Sequence, residues 1–297
     1  MTPGGSAGRC TAVVIDPLPA TLVNALVAAA LAEDHAFDDA TTLATVAEHL
    51  QGRAIFLARE PGIAAGFALA EGSFRHINPS VRFDQRIAEG NPFAKGETIA
   101  VVDGPVRAIL QGERVALNFV QRLSGTATLT RRFVEAIAGA NAVILDTRKT
   151  TPGLRAAEKY AVRCGGGTNH RADLAAMAMI KDNHREALTR EGLTLAQGVA
   201  AIRQRTPGIA VEVEIDSLAD LEAALAATPE WILLDNMAVD AMGEAVVRTA
   251  GRAKLEASGG VNLDSVRAIA ETGVDAISVG ALTHSARALD ISLELTF

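Results

Sequence analysis

From about residue 125 onward the chain repeats one unit: a short apolar segment, a polar turn and a helical stretch. Six such segments recur: Ala142 to Leu145, Ala178 to Ile180, Val211 to Ile215, Trp231 to Leu234, Lys254 to Ala257 and Ala276 to Val279. Strands that alternate strictly with helices pair in parallel, because each helix carries the chain back across the sheet before the next strand begins. This confines the C-terminal part to an α/β barrel or an open doubly wound sheet. Nearly every strand is followed by Asp, Lys, Glu, Ser or Gly. A barrel collects such residues on the loops at the carboxyl ends of its strands, whereas an open sheet concentrates them at one switch point. A barrel is the expectation. Six strands fall short of eight, so either the barrel is incomplete or segments such as Thr126 to Ala138 hide more. Aromatics are only 4% of the 297 residues, which leaves the small branched side chains that a barrel packs.

The first 125 residues lack that rhythm. Leu22 to Asp34 reads as a helix. Arg53 to Ala58 and Ala64 to Ala70 read as short strands around the turn Glu60-Pro61-Gly62, and Glu97 to Val102 as another. Pro105 opens a helix to about Leu123, with Val106, Ile109, Leu110, Leu117 and Val120 at helical spacing. The expectation is an α+β domain over 1–125 and a catalytic barrel over 126–284.

Charge narrows the function. With 28 basic and 35 acidic residues the net charge is −7, which speaks against a nucleic-acid or membrane surface. The longest apolar run, Leu22 to Ala32, is broken by Asn24 and is far short of the ~20 residues of a membrane span. Met1 to Arg9 has no signal-peptide pattern, and two cysteines, Cys10 and Cys164, make no disulfide framework. A cytoplasmic enzyme is expected. Cys164 reads as a small core residue rather than a nucleophile.

On such an acidic chain, local basic clusters carry information. Asp146-Thr147-Arg148-Lys149-Thr150 follows the first barrel strand, Asn169-His170-Arg171 follows Gly165-Gly166-Gly167, and Lys181 follows the second strand. On parallel neighbours these cations converge on one face, where Arg grips carboxylate or phosphate with two donors and Lys offers a point charge. Scattered surface charge is the alternative. In Val211-Glu212-Val213-Glu214-Ile215 the period of two puts both carboxylates on one strand face. The apolar face must meet the helices, so the Glu pair points into the barrel, where it needs cations, metal or hydroxyls. Asp235 ends the next strand. These acids are read as holding magnesium and sugar hydroxyls or as an ion-pair network, and both readings stay open. Ser258-Gly259-Gly260 and Gly280-Ala281-Leu282-Thr283-His284 follow the last two strands, where barrels often hold phosphate on exposed backbone N–H groups; plain turn glycines are the alternative. Phosphate-loop and dinucleotide glycine patterns are absent, as are H-E-x-x-H and paired C-x-x-C zinc patterns.

Nine strings in one order, Leu117-Asn118 to Ser124-Gly125-Thr126-Ala127-Thr128, Asp146 to Arg155, Lys159 to Val162, Gly165 to Arg171, Ile180 to His184, Val211 to Glu214, Leu234-Asp235-Asn236, Ser258-Gly259-Gly260 and Gly280 to Ser285, resemble quinolinate phosphoribosyltransferase. The resemblance covers nearly the whole chain from Leu22. It implies an N-terminal α/β sandwich, an incomplete barrel of the seven-stranded type, and a tail (285–297) that returns to the first domain. It also implies a homodimer in which Arg114 is contributed across the interface, with a hexamer of such dimers left open. Arg114, Arg148, Lys149, His170, Arg171 and Lys181 would then bind the two quinolinate carboxylates and nearby phosphates. Glu214 and Asp235 would sit near the ribose hydroxyls and Mg²⁺, and Ser258, Gly259, Gly260, Gly280 and His284 at the 5′-phosphate. Lys149, Lys181, Glu214 and Asp235 are the catalytic candidates.

The implied reaction joins quinolinate to phosphoribosyl diphosphate, giving nicotinate mononucleotide, diphosphate and carbon dioxide. Its rivals are a related phosphoribosyltransferase for another base, a Schiff-base barrel lyase using Lys181 or Lys149, and a non-catalytic sugar-phosphate binder. Two carboxylates need two cationic subsites, which the Arg and Lys count favours. After decarboxylation, Lys149 and His170 are both open as proton donor.

Overall fold

The computed structural model describes residues 15–297; Cys10 and the N-terminal glycine- and serine-rich stretch lie outside them. The chain begins with α1 (Ala20–Glu33), a 3₁₀ turn (Ala36–Asp38) and α2 (Ala40–Thr45). Then come β1 (Gln51–Ala58), β2 (Gly62–Ile63), α3 (Phe67–Ile77), β3 (Arg82–Gln85), β4 (Pro92–Phe93) and β5 (Thr98–Pro105). The long helix α4 (Val106–Ala136) follows.

Strands β1, β5 and β3 form an antiparallel sheet whose other edge is β12 (Ile291–Thr296), in the order β12-β1-β5-β3. Ala54, Phe56 and Ala58 alternate into the core of this sheet, where they meet Phe67 and Phe74 of α3 and Ile109, Ala116 and Val120 of α4. Phe56, Phe74 and Phe83 pack edge-on and stacked with ring centres 5.9–6.4 Å apart. One sheet covered by two helices is the expected sandwich.

Two stretches depart from expectation. Ala64 to Ala70, read as a strand, is a turn followed by the start of α3. Gly66 adopts φ 101°, a conformation open to glycine, and swings the chain into the helix. The carboxylate of Glu89 accepts from the N–H of Gly66 (3.0 Å) and of Phe67 (2.8 Å), satisfying donors that α3 leaves free at its start. Thr126 to Ala138 hides no strand. It continues α4, so the division expected near residue 125 falls inside one 31-residue helix. Gly125 sits within that helix because the backbone of Arg287 lies where a Cβ would be.

After α4 the alternation appears as expected. The order is β6 (Val143–Leu145), α5 (Arg155–Cys164), β7 (Ala178–Ile180), α6 (Asp182–Arg190), α7 (Leu195–Arg205), β8 (Val211–Ile215), α8 (Leu221–Ala226), β9 (Trp231–Asp235), α9 (Val239–Thr249), β10 (Lys254–Ser258), α10 (Val266–Glu271), β11 (Ala276–Ser278) and α11 (Ala281–His284). The six strands pair in parallel in the order β6-β11-β10-β9-β8-β7. Beyond β6, Thr168 makes one further parallel bridge to Leu145, the single-residue remnant of a seventh strand. The outward residues Ile144, Val213, Ile215, Ile232, Leu234, Leu255 and Ile277 are fully or nearly fully buried against the surrounding helices. The inward positions are mixed: beside Val143, Leu145, Trp231 and Leu233 they carry Glu212, Glu214, Asp235, Glu256, Ser258 and Ser278.

Candidate active site

The carboxyl ends of the six strands frame a cavity of about 530 Å³. Ten of the expected residues line it: Arg148 and Lys149 after β6, His170 and Arg171 from the segment beyond Thr168, Lys181 after β7, Glu214 at the end of β8, Asp235 at the end of β9, and Ser258, Gly259 and Gly260 after β10. Parallel register accounts for the convergence. Ser258 lies beside Asp235 and Glu214 beside Leu233, so the strand ends reach the same height.

Arg148 is the most telling of these groups. Its Nε is buried and has no hydrogen-bond partner among the described residues. A buried donor without a partner is expensive, so the guanidinium is set up for a ligand that accepts hydrogen bonds. Lys149 is held by its backbone: its N–H donates to Thr147 Oγ1 (3.0 Å) and its carbonyl accepts from Thr283 Oγ1 (2.7 Å). Its side chain is left to reach solvent. Thr283 and Ala286 are themselves fixed through their carbonyls by Arg122 of α4, which also pairs with the buried Glu158. Arg171 donates to the Met177 carbonyl (2.9 Å). Burial and the neighbouring Arg148 both disfavour its charge, while Glu212 and Glu256 favour it.

The acids divide into two sets. Glu214 Oε2 accepts from Lys181 Nζ (2.7 Å), and Asp235 Oδ2 accepts from Asn236 Nδ2 (2.8 Å), leaving each carboxylate one oxygen for a ligand. Glu212 and Glu256 are buried deeper, and both lie 3.2 Å from Nε2 of His170. Glu256 also accepts from Ser278 Oγ. Burial first, and then the proximity of Glu256, push the Glu212 carboxyl up to about 7. For His170, burial lowers the pKa, but the hydrogen bonds and charges of Glu212 and Glu256 outweigh it and lift it to about 9. The backbone opposes that lift, since the N–H of Arg171 points at Nδ1 from 2.7 Å and leaves it only the role of acceptor. We read the ring as neutral with its proton on Nε2, because a second ring proton cannot share that contact and a protonated Glu212 weakens the pull of the pair. The three groups have the number and closeness of a metal site. A metal ligand at Nε2 must lack the proton this tautomer places there, which opposes that use. Both ring nitrogens are already engaged, Nε2 by the two carboxylates and Nδ1 by the Arg171 N–H.

Three expected residues do not line this cavity. Arg114 is exposed on α4. Gly280 abuts the Lys149 side chain at the cavity edge, and His284 is exposed, with Nδ1 2.7 Å from Ser285 Oγ. The glycine loops differ from expectation in their helices: the one after Gly260 starts only at Val266 and runs six residues, and the one after Gly280 is four residues long. Backbone N–H groups freed by tight turns, rather than a long helix dipole, are what these loops offer an anion. Gly259 (φ 92°) and Gly260 (φ 60°) make such a turn, and a side chain on Gly259 would collide with Asn236. Cys164, among the described residues, is a free buried thiol that burial and Glu89 push up to about 12, so it is not a nucleophile.

Sequence reasoning missed Asn236, Glu256 and Ser278. The alternation in Lys254-Leu255-Glu256-Ala257-Ser258 contained the signal for Glu256, since it shares a face with Ser258.

A family model described as "Quinolinate phosphoribosyl transferase, C-terminal domain" matches residues 126–294, and its N-terminal companion matches 39–124. A Mycobacterium leprae protein named nicotinate-nucleotide pyrophosphorylase [carboxylating] is 44% identical over 262 residues, covering 86% of this chain and 91% of its own. A Nicotiana tabacum quinolinate phosphoribosyltransferase [decarboxylating] is 42% identical over 282 residues, covering 90% of this chain and 80% of its own. The solved structure of the Francisella tularensis nicotinate-nucleotide pyrophosphorylase superposes with a TM-score of 0.88 at 38% identity, covering 95% of this chain and 99% of that one.

Proposed function

The chain belongs to the quinolinate phosphoribosyltransferase family, decarboxylating pentosyltransferases of NAD biosynthesis, and we propose how its cavity performs that reaction. The observation that carries the proposal is the partnerless, buried Nε of Arg148 among the cations of Lys149, Arg171 and Lys181. Two carboxylates on adjacent ring carbons suit two cationic subsites. Arg148 with Arg171 would take the deeper carboxylate, and Lys149 with Lys181 the other and the diphosphate. Glu214 and Asp235 face the ribose, where departure of diphosphate leaves positive charge on the sugar ring.

The pyridine nitrogen attacks the anomeric carbon, the nitrogen–carbon bond forms, and the bond to diphosphate oxygen breaks. Positioning does this work, and no protein nucleophile is required. The alkylated nitrogen is cationic and accepts the electron pair left when the carbon–carboxylate bond breaks, so no electron-sink cofactor is needed. Lys149, exposed and with its backbone fixed, is the proposed donor of the proton that replaces carbon dioxide.

Magnesium is part of the proposal. Glu214 and Asp235, each with one oxygen free, are hard oxygen donors of the kind Mg²⁺ takes together with substrate phosphates, and bound there it would neutralise the departing diphosphate. Ser258, Gly259 and Gly260, with Gly280 and His284 at the edge, are the proposed 5′-phosphate subsite. Arg114 supports a homodimer: it is exposed and absent from its own chain's cavity, as expected of a residue that serves a partner's site. A cytoplasmic location completes the proposal; no helix among the described residues is long and apolar enough to cross a membrane. A Schiff-base role for Lys181 is disfavoured because Glu214 already engages its ammonium. Turnover of quinolinate, phosphoribosyl diphosphate and Mg²⁺ to nicotinate mononucleotide tests the function; sedimentation of the purified protein tests the dimer, and a monomer would reject it.

A further inference from the structure

The layer beneath the substrate cavity is costly. Barrels commonly fill their interior with Val, Ile and Leu. Here Glu212 and Glu256 enter from β8 and β10, 0% and 2% exposed. Both approach the same ring nitrogen, so one donor serves two acids. Glu212 Oε1 is buried and has no hydrogen-bond partner among the described residues. The chain Ser278–Glu256–His170–Glu212 spans the barrel from β11 to β8, and buried ionic clusters of this kind are often replaceable by aliphatic side chains without loss of stability, so stability is weak grounds for its presence.

We propose that Glu212 and Glu256 are positioning residues for the pyridine-dicarboxylate subsite: they clamp Nε2–H of His170 from two strands and so fix the segment that presents Arg171 beside Arg148. The inference rests on the proposed reading of this cavity as the quinolinate site. His170 and Arg171 are consecutive, and the Arg171 N–H closes on His170 Nδ1 at 2.7 Å, so the ring and the start of the Arg171 backbone move as one unit. Asp146 grips the same segment from the other side, accepting from the His170 N–H (2.8 Å) and from Asn169 Nδ2 (2.6 Å). Lys159 pairs with Asp146 and donates to the His170 carbonyl (3.0 Å). The backbone is thus held from β6 and α5 and the ring from β8 and β10. His170, Arg171 and Glu256 also line a second cavity, of about 460 Å³, which opens toward the amino ends of the strands beside Val143, Trp231 and Lys254. With open space on both sides of the segment, side-chain packing alone does not fix it, and the hydrogen-bond clamp does.

The clamp makes a specific demand on kinetics. Glu212→Ala and Glu256→Ala should raise KM for quinolinate about 100-fold, the scale of a misplacement near 1 Å, while KM for phosphoribosyl diphosphate changes less than about threefold. Glu212→Gln and Glu256→Gln keep the shape and one acceptor oxygen, so they should recover most of the loss and guard against failure to fold. Nitrogen-15 spectra of histidine-labelled protein give a readout that needs no turnover. The intact protein should show His170 protonated at Nε2 with that proton exchanging slowly with solvent, and the Ala variants, which lose one of its two acceptors, should exchange it faster. Equal loss in both KM values, or an unchanged Nε2 proton exchange in the Ala variants, overturns the clamp. If the intact protein fails to convert quinolinate but His170 keeps the expected signal, the reading of the site falls while the clamp stands.

Discussion

The two faces of the barrel strands obey opposite rules. In β8 and β9 the outward residues Val213, Ile215, Ile232 and Leu234 are at most 1% exposed and belong to the apolar core of the barrel. The inward face of the same strands carries, beside Trp231 and Leu233, the acids Glu212, Glu214 and Asp235, which take partners from outside their own strands: His170, Lys181 and Asn236. Successive side chains of one strand thus belong to different problems, one of stability and one of ligand chemistry. The outward face is the side where substitutions should cost folding energy; the inward face is where they should cost substrate.

That contrast can be broken by experiment. The largest effect is expected outside. Ile232→Ala removes a fully buried side chain from the helix–strand core and should cost about 2–5 kcal/mol by denaturant unfolding, with KM values unchanged in the fraction that remains folded. An altered KM for quinolinate would show that the faces are not separable. Inside, Arg148→Ala should weaken quinolinate binding about 100-fold in calorimetry, or about 2.7 kcal/mol, while phosphoribosyl diphosphate binding falls much less and the melting temperature holds. Equal loss of both ligands would remove Arg148 from the carboxylate role.

The smallest effect lies in the N-terminal domain. Burial raises the Glu89 carboxyl above its ordinary value of 4.5, although the N–H groups of Phe67 and Gly66 pull the other way. A carboxyl raised on folding binds its proton more tightly in the folded state, so stability is greatest below the unfolded value and declines as pH rises through the interval up to the folded one. Glu89→Gln, which cannot ionise, should flatten that part of the stability–pH curve. A slope unchanged in the variant would assign it to other groups.

Legibility in the sequence followed the range of the interactions that fix each element. The barrel strands are set by local apolar runs and appear within a residue or two of expectation. The cations at their ends converge because parallel register is a consequence of the alternation itself. Ala64 to Ala70 failed because its apolar run fits strand and helix alike, and the decision is made by Glu89, more than twenty residues away, together with the φ of Gly66. The glycine in Ser124-Gly125-Thr126 looked like a helix end, but its reason lies in the C-terminal tail, whose Arg287 backbone occupies the space beside Gly125 within the continuing α4. The deep layer was half visible: the period of two placed Glu212 inside the barrel, but only the assembled sheet brings Glu256 and Ser278 to the same histidine. The surroundings of Arg114 were not legible in one chain, since in the proposed dimer they belong to two.

The central claim is that this cavity selects an aromatic diacid for phosphoribosyl transfer. The most direct measurement mixes the purified protein with phosphoribosyl diphosphate, Mg²⁺ and either quinolinate or nicotinate, and follows nicotinate mononucleotide by chromatography. Product from quinolinate alone, with release of one carbon dioxide per nucleotide, is the expected result. Product from nicotinate at a comparable rate, or from neither acid, would contradict it.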